Sequence, residues 1–145
     1  MGVTTAMCTS FKGELLGGTH DLDTNTIKIA LIKSGESGTY GAATTNYSDV
    51  TGASDEASGT NYSSGGNTLA SAAISTSGTT ALLDFADSTW SNATISAAGA
   101  LIYNSSQSNK AIAVISFGGT VASTAGDFTV SFPAADASNA IVRIA

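Results

Sequence analysis

The chain has 145 residues, room for one domain, with 42% hydrophobic and only 11% charged residues, against roughly 25% charged in an average soluble domain. Net charge is −6, and the five basic residues (Lys12, Lys28, Lys33, Lys110, Arg143) are scattered, which disfavours direct nucleic-acid binding. No apolar run is long enough to span a bilayer, and a lone cysteine, Cys8, rules out an internal disulfide framework and reads as a small buried apolar residue.

Ser, Thr, Gly, Ala and Asn stand where Glu and Lys usually do, a composition that favours strands and turns. Residues 1–7 carry little signal, and with no basic region before an apolar segment, no secretory signal is expected. Thr9 or Ser10 can cap a short helix over about 9–17, with Phe11 and Leu15 on one face and Gly17 as a left-handed terminator. Asp21–Asn25 reads as a turn into a strand at Ile27–Ile32, whose Ile27, Ile29 and Leu31 share one face.

From about 34 to 67 the chain is dense in Gly, Ser, Thr, Asn and Asp, and is predicted to be loop-rich, with short irregular strands or an exposed excursion used for contact. A hairpin is predicted from Thr68–Thr76 and Thr79–Phe85 across Ser77-Gly78. The strongest signal is a second hairpin, Ala97–Tyr103 and Ala111–Phe117 across Ser105–Lys110, with both faces of its second strand largely apolar. After Gly118-Gly119, Asp127–Phe132 alternates as a separate strand until Pro133, and Ala140–Ile144 is the last one. The expected fold is all-β: a single antiparallel β-sandwich over residues 1–145, a jelly roll being one version, with one short N-terminal helix. Its expected core holds Leu101, Tyr103, Ile112, Val114, Ile115, Phe117, Phe128, Val130, Phe132 and Val142.

Chemistry is sparse. The one histidine, His20, could join a Ser-His-Asp triad only in a chain where serines are everywhere, so the premise is nearly empty. No phosphate-binding or dinucleotide glycine pattern precedes a helix, and zinc would need more His or Cys; no catalytic residue, metal or cofactor is expected. Asp21-Leu22-Asp23-Thr24-Asn25 starts like a calcium loop, but Thr26 and Ile32 replace its glycine and closing glutamate, so a turn is expected there. Asp84 and Asp87 beside Trp90 could form a sugar platform if Trp90 were exposed; a tight acidic turn with buried aromatics is the simpler expectation. Phe11, Leu15, Tyr40, Tyr47 and Tyr62 are the candidate partner contacts, the tyrosines because that residue is enriched in contact patches.

Several segments together resemble small virion structural proteins of tailed bacteriophages. They are Phe11-Lys12-Gly13-Glu14-Leu15-Leu16-x-Gly18-x-His20, Ile27–Leu31, Gly59-Thr60-x-Tyr62-x-x-Gly65-Gly66-x-Thr68-Leu69, Gly99–Asn104 and Phe132-Pro133-Ala134-Ala135-Asp136-x-x-Asn139-Ala140-Ile141-x-Arg143-Ile144. The resemblance spans nearly the whole chain and implies a capsid decoration (cement) protein, made in the host cytoplasm and carried on the outer surface of the capsid. The partners expected are the major capsid protein and the chain itself, as a trimer, with neither nucleic acid nor membrane. A tail, neck or fibre component of the same particle, and a carbohydrate-binding module or hydrolase built on Trp90, are the other two classes.

Overall fold

The computed structural model describes all 145 residues and is all-β and sandwich-like, with a short N-terminal helix. Strands β1 (Gly2–Val3) and β2 (Ala6–Met7) precede helix α1 (Thr9–Leu16). Strand β3 (Ile27–Lys33), β4 (Thr39–Tyr40), the single-turn helix α2 (Ser48–Gly52) and β5 (Asn67–Thr68) follow. Then come β6 (Ala73–Ser77), β7 (Thr80–Asp84), β8 (Ser88–Asn104), β9 (Lys110–Val130) and β10 (Val142–Ile144).

The main sheet has the order β2-β9-β8-β3-β5, a second has the order β10-β7-β6, and β1 pairs in parallel with β4. Both larger sheets are antiparallel throughout. The β8–β9 hairpin is the spine, paired from Ser88↔Val130 to Asn104↔Lys110 with bulges that shift the register along the way. It turns through Ser105–Gln107, where the Asn104 side chain accepts a hydrogen bond from the Ser106 amide and Ser108 and Asn109 take left-handed conformations.

Three expectations change. The strand after Gly118-Gly119 is not separate: both glycines have positive φ, the chain bulges out between Ser116 and Val121, and β9 then rejoins the β8 ladder and runs on to Val130. Helix α1 starts from Cys8, with no side-chain cap, and the left-handed residue at its end is Gly18 rather than Gly17. The first hairpin is shorter, because Thr68 belongs to β5 on the edge of β3 and β6 begins only at Ala73.

The core is one continuous apolar cluster shared by both sheets, α1 and the 34–67 segment. Leu101, Tyr103, Ile112, Val114, Phe128, Val130 and Val142 are buried in it, while Ile115, Phe117 and Phe132 pack half-buried at its margin. Cys8 is buried as well, its Sγ 3.8 Å from the Gly41 carbonyl, and burial pushes its thiol up to about 12. The N-terminal residues act as a strap: β1 lies on β4 and β2 on β9, so the first seven residues join the 34–67 segment to the main sheet.

Candidate interaction surface

The 34–67 segment has little regular structure, yet its backbone is fixed from within. It covers the outer edge of β3. The Ala57 amide donates to the Leu31 carbonyl (2.8 Å), the Lys33 amide to the Asp55 carbonyl (2.8 Å), and the Leu31 amide to Tyr62 Oη (2.9 Å). At Gly66, with φ of +72°, the chain lies against the Ile29 carbonyl so closely that a Cβ would overlap it; Gly59 lies equally close to the Thr94 carbonyl.

Two consecutive carboxylates hold this segment together, and as neighbours on extended chain they reach in opposite directions. Asp55 is fully buried and accepts from the Ser37 amide (3.0 Å), the Gly38 amide (2.8 Å) and Tyr40 Oη (2.6 Å), with Lys33 Nζ at 3.2 Å. Burial by itself would raise this carboxyl, but the bonds from Tyr40, Ser37, Gly38 and Lys33 outweigh it and hold it well below the usual carboxylate range. Glu56 accepts from Tyr62 Oη (2.9 Å) and the Gly65 amide (2.7 Å) on one oxygen, and from Tyr47 Oη (2.6 Å) and Ser64 Oγ (2.8 Å) on the other. Burial, with the nearby carboxylates, raises the phenols of Tyr40, Tyr47 and Tyr62, so all three remain protonated donors.

This arrangement redefines most of the predicted contact residues. Tyr40 is buried on Asp55, and Phe11 is fully buried, its ring 5.0 Å from that of His20; neither presents a surface to a partner. Tyr47 stacks on Tyr103 at 4.6 Å and Tyr62 on Trp90 at 5.7 Å, both with their hydroxyls on Glu56. Only Leu15, half-buried, borders an open recess. The missed signal was the acidic pair itself: Asp55 and Glu56 are the only charges between Asp49 and Asp84.

The other polar cluster joins α1 to the end of the spine. Asn104 Nδ2 donates to His20 Nδ1 (3.0 Å) and to Asn25 Oδ1 (2.8 Å), which leaves the imidazole proton on Nε2, 3.3 Å from Glu14 Oε2. Lys110 Nζ lies 3.5 Å from the same oxygen. Burial lowers the His20 pKa against the opposing pull of Glu14. A carboxylate behind an imidazole can orient a base, but the other ring nitrogen here is taken by Asn104 and the ring packs on Phe11. The cluster is a clamp in this arrangement. Asp21–Asn25 is the expected turn, closed by the Asn25 amide on the Asp21 carbonyl (2.8 Å).

Trp90 is 4% exposed, set between Tyr62 and Phe128, so it offers no sugar platform. Asp87 accepts the Phe132 amide (2.9 Å) and pins the end of the spine. The open apolar surface lies elsewhere, where α1 meets the β10-β7-β6 sheet. An apolar recess there is lined by Leu15, Leu22, Ile74, Leu83, Val142 and Ile144, among others. The chain matches no protein family model, no curated protein and no solved structure.

Proposed function

We propose that this chain is a structural protein of a tailed-bacteriophage virion: a capsid decoration (cement) protein that bridges major capsid proteins on the outer surface of the head. What carries the proposal is that His20, Tyr62, Tyr103 and the close-packed glycines of the resembling segments are taken up in holding the chain together. His20 sits in the clamp, Gly59 and Gly66 make the close backbone approaches, Tyr62 and Gly65 are bonded to Glu56, and Tyr103 Oη donates to the Gly65 carbonyl at 2.7 Å. Work in this molecule is thereby left to its surface, which suits a module that acts by contact.

The proposed form is a homotrimer. One copy has limited surface, and single contacts near ~1,000 Å² are often weak. Joining copies makes later contacts intramolecular and raises avidity by about 10²–10⁴, and a trimer matches its own axis to local threefold sites of a shell. The test is to strip the protein from particles, add it back, and measure occupancy and resistance of the head to heat. Saturable return to the shell with a rise in the temperature of genome release is expected. Density for the chain only at the tail, neck or fibre would overturn the decoration role in favour of that position.

A further inference from the structure

The face of the β10-β7-β6 sheet turned toward α1 is only partly covered. Register aligns Ile74, Leu83 and Val142 in one row and Thr76, Ala81 and Ile144 in the next. Leu15 and Leu22 lie over part of this face, and the rest stays open as an apolar groove whose lining includes no Asp or Glu. The chain has five strongly exposed large apolar side chains, and three belong here: Leu16 (92% exposed) beside the groove, and Ile74 (57%) and Ile144 (51%) in its walls. Exposed apolar patches of this kind mark contact sites.

Charge adds a second, independent observation. Lys33 is paired with Asp55 and Lys110 with Glu14. The other three cations make no ion pair, and two of them, Lys12 and Arg143, border the Leu16–Ile144 end of the groove; Arg143 also donates to the Ser138 carbonyl and has the Asp136 carboxylate nearby, so Lys12 is the freer of the two. In a chain of net charge −6, a basic rim on an apolar groove selects a partner that is both apolar and acidic.

We propose that this groove docks an acidic, apolar segment of a different protein, with its apolar side chains against Leu16, Ile74 and Ile144 and a carboxylate at Lys12 and Arg143. A second copy of this chain fits poorly. Outside the groove its strongly exposed large apolar residues are Met1 and Val121, neither adjacent in sequence to an acidic residue. Groove-to-groove contact would bring the same unpaired cations toward each other. The proposal rests on the virion reading only in naming a shell protein as the owner of that segment.

Two arms test it, with the full chain and with variants first shown to melt like the parent. In the first, a synthetic peptide of alternating Leu and Glu, and its Leu-Lys counterpart, are titrated into isotope-labelled protein. Saturable shifts at Leu15, Leu16, Ile74 and Ile144 are expected with the Glu peptide, with the Lys peptide at least about tenfold weaker. The double variant Lys12→Glu/Arg143→Glu should reverse that preference. Equal binding of both peptides, shifts elsewhere, no binding, or groove signals that move with protein concentration alone would overturn the proposal, the last in favour of self-association. In the second arm, Leu16→Ser/Ile74→Ser is added back to stripped particles, where at least about a tenfold loss of affinity is expected. Unchanged occupancy overturns the groove and leaves the virion reading intact. Failure of the parent protein to bind particles removes that reading, and the peptide arm then decides the groove alone.

Discussion

The 34–67 segment and the β10-β7-β6 sheet reverse what their sequences suggest about rigidity. The first looks like loose connection and contains two short strands and one helical turn. It is nonetheless fastened by Asp55 and Glu56, each bonded to several backbone and side-chain donors. The second has regular ladders, but all five residues of β6 are exposed and its only strand partner is β7. Strand β6 also lacks the charges or proline that usually guard an edge. A buried carboxylate that collects donors from four places fixes a chain more firmly than a ladder open to water, since breaking it strands every donor at once.

The sharpest way to break the contrast is at the backbone. Gly66→Ala would drive a Cβ into the Ile29 carbonyl at a left-handed position, and a loss of about 4 kcal/mol or more, or failure to fold, is expected in chemical denaturation. Asp55→Ala comes next. It leaves Lys33, Tyr40 and two backbone amides without their acceptor, and about 3–5 kcal/mol should be lost. Glu56→Gln is milder, because hydroxyl donors can turn away, and about 1–2 kcal/mol is expected from the same measurement. At the other extreme, Leu16→Ser should change stability by no more than about 0.5 kcal/mol, since that side chain is already in solvent.

Much of the fold was legible because its signals are local. Alternation in Ile27–Ile32 and the apolar runs around Tyr103 and Val114 define strands by period alone. The contact residues were legible only as types. Tyrosine is common at interfaces and equally apt to be buried with its hydroxyl on a carboxylate, and nothing near Tyr40 or Tyr62 in sequence shows that Asp55 and Glu56 sit within reach. The merging of two strands through Gly118-Gly119 was hidden for another reason, since paired glycines mark a chain break and a bulge alike.

Acid should act on the fastened region and on the clamp in two steps. His20 has a folded pKa below its ordinary 6.5, so above that value it is neutral in both states. Below it the unfolded chain takes up a proton that the folded chain resists, and stability falls. Asp55 has a folded pKa below its ordinary 3.8, so its contribution is complete above that pH and is lost as pH drops further. Denaturation midpoints at pH 7, 5 and 3 should show both steps, with His20→Gln flattening the first and Asp55→Asn the second.

The order of residues 34–67 comes from bonds within the chain itself. Amide hydrogen exchange on the free protein tests it most directly. The amides of Leu31, Gly38, Ala57 and Gly65, bonded within the fastened region and its seam with β3, are expected to be protected nearly to the level of global unfolding, while β6 exchanges faster. Rapid exchange at Gly38 and Gly65 alongside a protected β6 would contradict it.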